Sequence, residues 1–580
     1  MSGGERLNHT RQRLQSLIES GIRMGMERGR TRLLSHILHA GREIANCDAA
    51  TLYLMTEAKS LRFALRSRDD ELPAIEIPLY DAVSGAPNEK HVSTFVALRN
   101  TPVNIDDVYA ETRFDLAGTR RFDAESGYRT VSMLTMPMAP RGGEVLGVIQ
   151  FINAVDPDSG AIIPFAEEVV DLLRALAAQA AVALDNQQLV ESQAALLNGM
   201  IRSISGAIDA KSPYTGGHCE RVPELAVMLA EAACAERQGP LADFNFATTE
   251  EWQEFRIGIW LHDCGKVVTP VHVVDKATKL ETLYNRIHEI RTRFELLWRD
   301  AEIERLQAHL AGADAAVADA RCAARQAQLR ADFAFLAECN LGGESTSPEH
   351  IERLRAIGET TWQRHFDDRL GLAHEELARA EQTPRPALPA RERLLDDKPQ
   401  HIIRRRADDR VLDPRHGFSL KVPEHHQNNG ELYNLAIPYG TLNAEERYIV
   451  NEHIVQTILM LDSLPFPKHL QRVPEYAGTH HETLLGNGYP RGLAADDLSI
   501  PARIVAIADV FEALTASDRP YKHAKKLSEA VHILHGFKRR GHIDPALFDL
   551  FLSSGVYLRY AQRFLAPEQI DSVDITAYLG

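Results

Sequence analysis

The sequence predicts a multidomain protein in which an α+β module precedes a long helix and a mainly helical remainder. The chain has 580 residues and a domain has about 100–200, so about three to five domains are expected. Residues 31–186 mix helical patterns with β-rich runs, which is typical of an α+β module. From residue 165 onwards the apolar spacing is mostly helical.

The first module follows residues 1–30, a polar, Arg-rich stretch that we expect to form an arm or a short helix. Within 31–186, one helix and four strands are predicted, and a Gly-containing turn at 141–144 joins the last two strands. These elements are a helix at Leu33–Ile44 and strands at Thr51–Met55, Leu61–Arg66, Arg129–Met138 and Val145–Val155. Together they predict helices that flank an antiparallel sheet.

The long helix is predicted at 165–210, where leucines recur at helical spacing, and its imperfect heptads suit a dimeric connection. A globular helical pattern occupies 200–280 and resumes at 439–580. Between these parts, residues 281–438 are rich in Ala, Arg and Glu and later in Pro. We interpret 281–438 as a helical insertion that is largely solvated.

Composition and charge exclude several classes of protein. The formal net charge is −16 at pH 7, which disfavours generic binding of DNA or RNA. No apolar run approaches the roughly 18 residues of a transmembrane helix, and the N-terminus lacks an apolar signal-peptide core, so we expect no membrane partner. The six cysteines form no CxxC pair, which is typical of a reducing cytoplasm.

A dispersed set of metal-ligand side chains is the strongest chemical signal. Asp509 lies in an apolar helical run, where an isolated carboxylate is costly. His453 lies in a helix that we expect to begin at a capping box of Asn443 and Glu446. Pooling such groups around metal would offset the cost of burying each one, and imidazole and carboxylate ligands suit Fe, Mn, Zn or Ni. The candidates are His218, His262, Asp263, His453, His480, His481 and Asp509.

Each candidate taken alone also has an ordinary structural interpretation. A single histidine on an apolar helix face is usually a satisfied core residue, while Asp263 could end a helix and Asp509 could be a buried cap. Gly265-Lys266 is followed by Val267, which excludes a P-loop, and the His-Glu pairs lack the second histidine of a zincin. The set as a whole favours metal chemistry.

Two motif blocks make the second part of the chain similar to a known family. The stretch HDCGK at 262–266 and the stretch HHETLLGNGYP at 480–490 resemble the HD-GYP phosphodiesterases, a branch of the HD metal-dependent phosphohydrolases. That family hydrolyses cyclic dinucleotides. The resemblance implies an HD-type domain at 200–280 plus 439–580, which converts cyclic di-GMP or mixed cyclic GMP-AMP to a linear dinucleotide.

The same resemblance implies a role for each matched residue and two divalent metal ions, Fe or Mn first, with other divalent metals left open. One ion would be bound by His218, His262, Asp263 and Asp509. The second would be bound by Asp263 as a bridge and by His453, His480 and His481. Lys266 would act beside the attacked phosphate, and the other substrate contacts would be Tyr489 in the pocket wall and Arg519 and Lys522 on substrate phosphates.

Three departures from the family pattern stand out. Tyr214 occupies a position where some members have a Glu that supports a third metal, so we expect two metals. Leu485 replaces the usual Asp of the HHExxD motif, which leaves the ligands in place but alters the loop. The insertion at 281–438 splits the fold. We interpret it as a passive hairpin or dimer contact, with a lid or partner arm as the alternative.

The first module resembles a GAF sensory domain. The stretches SGYRTVSMLTMPM and GEVLGVIQFINAV carry this resemblance within 31–186. The Asn-Lys pattern of cyclic-nucleotide-binding GAF domains is missing at 118–123, so an unknown small-molecule ligand is left open. The fold class implied is an α+β GAF domain followed by a long helical linker and an all-α HD-type phosphohydrolase domain carrying a large helical insertion.

The sequence therefore predicts a cytoplasmic homodimeric enzyme that hydrolyses a cyclic dinucleotide under the control of a GAF domain. The alternative is a catalytically weak receptor that binds the same ligand and recruits partners through the insertion, and Leu485 motivates it. A nucleotidase or another HD phosphohydrolase is a third hypothesis, which the GYP stretch at 488–490 disfavours.

Overall fold

The computed structural model divides the chain into two compact units, Met1–Leu197 and Asn198–Gly580. The described residues are 3–27, 29–67, 76–140, 142–211, 217–343, 346–406, 412–516 and 525–580. Among these residues, every helix is too short or too polar to cross a lipid bilayer.

An antiparallel sheet of seven strands forms the middle of the first unit. Its strands are β1 (Cys47–Met55), β2 (Ser60–Arg66), β3 (Glu76–Pro78), β4 (Val103–Ile105), β5 (Met133–Met138), β6 (Gly147–Val155) and β7 (Ile162–Ile163). The order is β3-β2-β1-β6-β5-β4, with β7 also paired to β6. The four strands predicted from the sequence correspond to β1, β2, β5 and β6, and β5 and β6 form the predicted hairpin.

Helices cover both faces of this sheet. They are α1 (Gly3–Met26), α2 (Arg30–Ala45), α3 (Val92–Arg99), α4 (Ala117–Ser126) and α5 (Glu167–Lys211). Successive residues of β6 point to opposite faces, so Phe151 packs with α1, α2 and α5 whereas Val148 packs with α3. In place of the arm or short helix expected at 1–30, α1 is a helix of 24 residues that buries Leu17 and Met24.

The second unit is mainly helical, as the sequence predicted. Its helices are α6 (His218–Ala235), α7 (Thr249–Trp260), α8 (Val271–Val274), α9 (Ile287–Leu310), α10 (Ala315–Leu341), α11 (Pro348–Gly358), α12 (His374–Ala380), α13 (Glu431–Leu435), α14 (Ala444–Asp462), α15 (Val473–Gly478), α16 (Ile500–Thr515), α17 (Leu527–Arg539), α18 (Pro545–Ser553) and α19 (Val556–Phe564). Two small antiparallel sheets join β8 (Thr361–Arg364) to β9 (Ala390–Arg393) and β10 (Ile402–Arg404) to β11 (His425–Asn428).

The larger core of this unit surrounds α16, which buries Ile504, Ile507 and Phe511. Helices α6, α7, α17, α18 and α19 contribute most of the other buried side chains of this core, and Tyr476 of α15 adds a ring. Helix α6 begins at His218 and continues through Pro223, so the proline does not divide the helix. The residues that carry polar chemistry on α6 and α16 are therefore attached to a rigid, apolar framework.

Residues 281–438 have a core of their own, in contrast to the largely solvated insertion expected from their composition. Helices α9, α10 and α11 contribute Ile290, Leu336 and Leu354 to it, and each is nearly fully buried. Strands β8 to β11 all lie in this segment, so the segment is helical with two small sheets. The sequence did not predict these strands, because each has only three or four residues.

Side-chain hydrogen bonds in the first turn fix the start of α14. Asn443 accepts the backbone N–H of Glu446, and Glu446 accepts the backbone N–H of Asn443, which confirms the predicted capping box. The buried ammonium of Lys276 also donates to both carboxylate oxygens of Glu446, at 2.7 and 2.8 Å. These contacts set the position of the helix that carries His453.

The turn that follows α7 packs directly against α14. The backbone N–H of Gly265 donates to Thr457 Oγ1 at 2.9 Å, and the same oxygen donates to the carbonyl of His262 at 3.2 Å. A Cβ atom at Gly265 would overlap the carbonyl oxygen of His453. The close approach of the turn and the helix therefore requires a glycine.

Substitution Gly265→Ala should push the turn away from α14 and lower the free energy of unfolding of the second unit by about 1–3 kcal/mol, the usual effect of overpacking. The matched control is Gly206→Ala, because Gly206 lies in helix α5 with open space around its Cβ position. Calorimetric unfolding of the full chain checks both variants. Equal stability of the two variants would contradict the packing argument.

Candidate metal centre

Five parts of the second unit contribute the side chains of the site. His218 is the first residue of α6, and His262 and Asp263 form the turn after α7. The remaining elements are α14 with His453, the turn after α15 with His480 and His481, and α16 with Asp509. The side chains of His218, His262, His453 and His480 are all buried. The fold thus brings together the seven metal-ligand candidates that the sequence places far apart.

Three of the histidines share one local geometry. The Nδ1 atom lies next to the carbonyl oxygen of the residue three positions earlier, at 2.7 Å for His262, 2.6 Å for His453 and 2.9 Å for His480. A carbonyl can only accept a hydrogen bond, so Nδ1 must carry the proton in each of these neutral rings. Each Nε2 atom then has a free lone pair, and an imidazole in this form can bind a metal ion.

Asp263 lies between two groups of histidines, His218 and His262 on one side and His453 on the other. Its Oδ2 atom is 3.2 Å from His218 Nε2 and 3.4 Å from His262 Nε2. Its Oδ1 atom is 3.5 Å from His453 Nε2. Asp509 Oδ1 is 3.4 Å from His218 Nε2. Asp263 therefore offers one oxygen to each group, an arrangement that would let the carboxylate bridge two metal ions.

Ligand atoms that lie within 4.8 Å of one another form three overlapping groups among the described residues. They are His218, His262 and Asp509; His262, Asp263 and His480; and His453, His480 and His481. The donor set fits a divalent metal centre in its chemistry. The Nε2 atoms of His262 and His480 are buried and make no hydrogen bond within the described part of the chain, a cost that a bound cation would remove.

The protonation states also suit metal ligands. Burial lowers the pKa of His453 to about 4 and the pKa of His480 to about 3. Burial by itself would raise the pKa of Asp263, but the positive charge of Lys266 opposes it, and the pKa is held well below its usual range. At neutral pH these groups are neutral imidazoles and an ionised carboxylate.

Glu512 is a residue of the site that sequence reasoning did not single out. Its carboxylate contacts His218 Nδ1 directly and accepts a hydrogen bond from Arg221 Nε at 2.7 Å. Glu512 is only 1% exposed and lies three residues after Asp509 on α16, so both acids face the same side of the helix. That spacing of two acids in an apolar helix was the available signal.

Lys266 and Tyr489, to which the family resemblance gives substrate contacts, lie beside the ligand candidates. Lys266 Nζ donates to Asp263 Oδ2 at 2.5 Å. Burial would lower the pKa of Lys266, but Asp263 and Asp509 outweigh it and raise that pKa, so the ammonium stays charged. The Tyr489 ring stacks on the His481 ring, with centres 4.8 Å apart and an angle of 21°.

Three residues named in the sequence analysis lie outside the described residues: Tyr214, Arg519 and Lys522. Leu485 is described, and it is 65% exposed. Its backbone pairs with Ala494, and its side chain lies against Gly541, where a Cβ would be 2.9 Å from Leu485 Cγ. The Leu485 side chain is thus accommodated at the protein surface.

Glu482 holds the loop that contains Tyr489. Its carboxylate accepts the backbone N–H groups of Arg491 at 2.7 Å, Gly492 at 3.2 Å and Leu493 at 3.0 Å. In the sequence, Glu482 is recognisable only as part of the HHETLLGNGYP stretch. Its buried position next to His481 shows that it ties this loop to the ligand candidates.

Family models match two parts of the chain. The GAF domain model matches residues 30–184, and an HD domain model matches residues 385–547. The HD match contains His453, His480 and Asp509, but it begins after His218 and His262. The structure brings these two histidines to the matched region.

Curated relatives match shorter stretches of the chain. A 3'3'-cGAMP-specific phosphodiesterase of Vibrio cholerae is 39% identical over 113 residues, which is 20% of this chain and 25% of the relative. A cyclic di-GMP phosphodiesterase of Pseudomonas aeruginosa is 43% identical over 79 residues, 13% of this chain and 18% of the relative. A cyclic di-GMP phosphodiesterase of Thermotoga maritima is 38% identical over 113 residues, 20% of this chain and 30% of the relative.

The matched stretches span less than a third of each of these relatives. Cyclic di-GMP and cGAMP phosphodiesterases are nevertheless the relatives of this chain, in line with the HD-GYP resemblance of its motifs. The chain therefore contains a region that matches the GAF domain model and a later region that matches an HD domain model.

Proposed function

We propose that this chain is a metal-dependent phosphodiesterase that hydrolyses cyclic di-GMP or mixed cyclic GMP-AMP to a linear dinucleotide, under the control of its GAF domain. The observation that carries the proposal is the position of Asp263. One of its oxygens faces His218 and His262, and the other faces His453. The relatives supply the substrate class, since they are named for these two cyclic dinucleotides.

Two divalent ions would be held by the ligand sets that the sequence analysis assigned. The first set is His218, His262, Asp263 and Asp509, and the second is Asp263, His453, His480 and His481. When bound, such ions activate a water molecule as the nucleophile and stabilise negative charge on the phosphoryl oxygens. Fe and Mn are the first candidates by the family resemblance, and the imidazole and carboxylate ligands also suit Zn or Ni.

The reaction joins a water oxygen to phosphorus and breaks the bond between phosphorus and a sugar oxygen, which leaves with a proton. Lys266 would contribute a fixed positive charge beside the attacked phosphate, since Asp263 keeps it protonated. Tyr489 would form one wall of the pocket, with its ring held on His481. Arg519 and Lys522 would bind the other phosphate oxygens of the substrate.

The direct test is a substrate panel combined with metal analysis of the same sample. Protein loaded with Mn or Fe should convert cyclic di-GMP or mixed cyclic GMP-AMP to the linear dinucleotide and contain about two metal ions per chain. Chromatography of the products and elemental analysis provide the measurements. Binding of a cyclic dinucleotide without turnover and without metal would instead support the receptor alternative. Absence of both binding and turnover would refute the proposal.

Asp263→Asn keeps the shape of the side chain but removes the charge that both ligand sets share. A bridging ligand contributes several kcal/mol to stabilisation of the transition state through the metal ions, so turnover should fall by more than about 100-fold. Metal content should fall below two ions per chain. Asp549→Asn is the matched control, because Asp549 pairs with Lys538 between α17 and α18, outside the ligand set, and the change should leave both quantities unchanged. Full activity of the Asp263 variant would contradict its bridging role.

Glu512→Gln tests the support of a single ligand. Glu512 contacts His218 Nδ1, so the amide would loosen the orientation of that imidazole and lower metal affinity by about 10–100-fold. Competition with a chelator measures the affinity, and circular dichroism verifies that the helices remain folded. Glu529→Gln is the control, since Glu529 accepts the backbone N–H of Lys526 at the start of α17 and lies outside the ligand set. An unchanged metal affinity would exclude the positioning role of Glu512.

A further inference from the structure

The end of the 281–438 segment contacts the loop that contains Tyr489. The backbone N–H of Ser419 donates to the carbonyl of Pro490 at 2.7 Å, and Ser419 Oγ donates to the same oxygen at 3.2 Å. Arg491 Nε donates to the carbonyl of His416 at 2.9 Å. Residues 414–419, which we call the clamp segment, therefore bind two successive residues of this loop.

The clamp segment is itself fixed to α14. The ring of His416 stacks on that of Phe418, with centres 5.3 Å apart and an angle of 12°. His416 Nδ1 lies 3.1 Å from a carboxylate oxygen of Asp462, the last residue of α14. The Arg491 guanidinium lies over the other aromatic ring, 5.9 Å from the centre of Phe418. The segment thus connects the end of the His453 helix to the Tyr489 loop.

The loop has a second attachment on the side of the ligand candidates. Glu482 accepts three of its backbone N–H groups, and the Tyr489 N–H donates to the carbonyl of His481 at 3.2 Å. The loop is therefore held between Glu482 and the clamp segment. Loss of either attachment would free the Tyr489 ring to leave the position where it stacks on His481.

We propose that the clamp segment is a positioning element of the substrate pocket: it fixes the Tyr489–Leu493 loop so that substrate binding depends on residues inserted between the HD motif and His453. This inference rests on the proposed phosphodiesterase function. It gives the 281–438 segment a part in substrate binding, beyond a passive hairpin. Phe418 and Arg491 are the side chains that carry the attachment, and they act through the position of the loop.

The test uses two variants of the full-length, metal-loaded chain. Phe418→Ala removes the ring that stacks on His416, and Arg491→Leu removes the donor to the His416 carbonyl. Each should raise KM by about fivefold or more, as expected for lost substrate binding, while kcat stays within about twofold and metal content stays the same. The ratio of kcat/KM for cyclic di-GMP and mixed cyclic GMP-AMP should change in both variants.

Two matched substitutions serve as controls. Phe366→Ala removes a phenylalanine of the same 281–438 segment that is 85% exposed and lies outside the clamp segment. Arg415→Leu removes an arginine of the clamp segment itself, whose charge pairs with Asp413 and not with the loop. Both controls should keep the KM, kcat and substrate ratio of the parent within about twofold.

Hydrogen exchange supplies a readout that does not depend on activity. The amides of Arg491, Gly492 and Leu493 are bonded to Glu482, so they should be protected in the parent. Their exchange should be faster by about tenfold or more in Phe418→Ala and Arg491→Leu and unchanged in the controls. Unchanged exchange in both variants would overturn the proposal, and so would parallel losses of kcat and metal content. If the two variants exchange faster but the parent turns over no cyclic dinucleotide, the clamp is supported and the proposed function is refuted.

Discussion

The buried carboxylate of Asp263 is the constraint on which the arrangement of the second unit depends. Its side chain is almost completely removed from water, and a buried charge costs several kcal/mol unless other groups compensate for it. Lys266 at 2.5 Å and His218 at 3.2 Å supply part of that compensation. Because His218 is on α6, Lys266 is in the turn after α7 and His453 is on α14, one acid ties three elements to one point.

A second constraint concerns the long segment of chain that separates the ligand candidates. The entropy of closing a loop grows only slowly with its length, so 281–438 costs little if its ends are well fixed. The segment is fixed at both ends of α14. Asn443, at the start of the helix, donates to the carbonyl of Asn428 at 3.0 Å, and Asp462, at its end, lies 3.1 Å from His416. The segment thus supports the helix that carries His453.

Much of the fold and of the candidate site was predictable from local signals. The capping box at Asn443, the strands around the predicted hairpin and the apolar run around Asp509 are all encoded by short sequence patterns, and the structure contains them. The metal-ligand candidates could be listed because polar residues in apolar helices are conspicuous. Their mutual distances are not encoded locally, since they depend on how α6, α14 and α16 pack.

The parts that the sequence did not predict depend on contacts between distant residues. Leu17 and Met24 lie two turns apart in a polar, Arg-rich stretch, so the burial of α1 becomes visible only with the sheet in place. Arg405 looks like part of a solvated basic run, yet its guanidinium lies 4.6 Å from the centre of the Tyr448 ring. The core of 281–438 is likewise assembled from α9, α10, α11 and short connecting segments. None of these features has a periodicity that a single segment reveals.

The histidines differ in what orients them, and this difference locates the weakest point of the site. His262, His453 and His480 are each aligned by a backbone carbonyl three residues earlier, which a helix or tight turn supplies without any side chain. His218 differs, because within the described residues its Nδ1 atom contacts a side chain, the carboxylate of Glu512, which in turn accepts a hydrogen bond from Arg221. His262, His453 and His480 are therefore preorganised by the backbone, whereas His218 depends on a chain of buried charges that must all be present together.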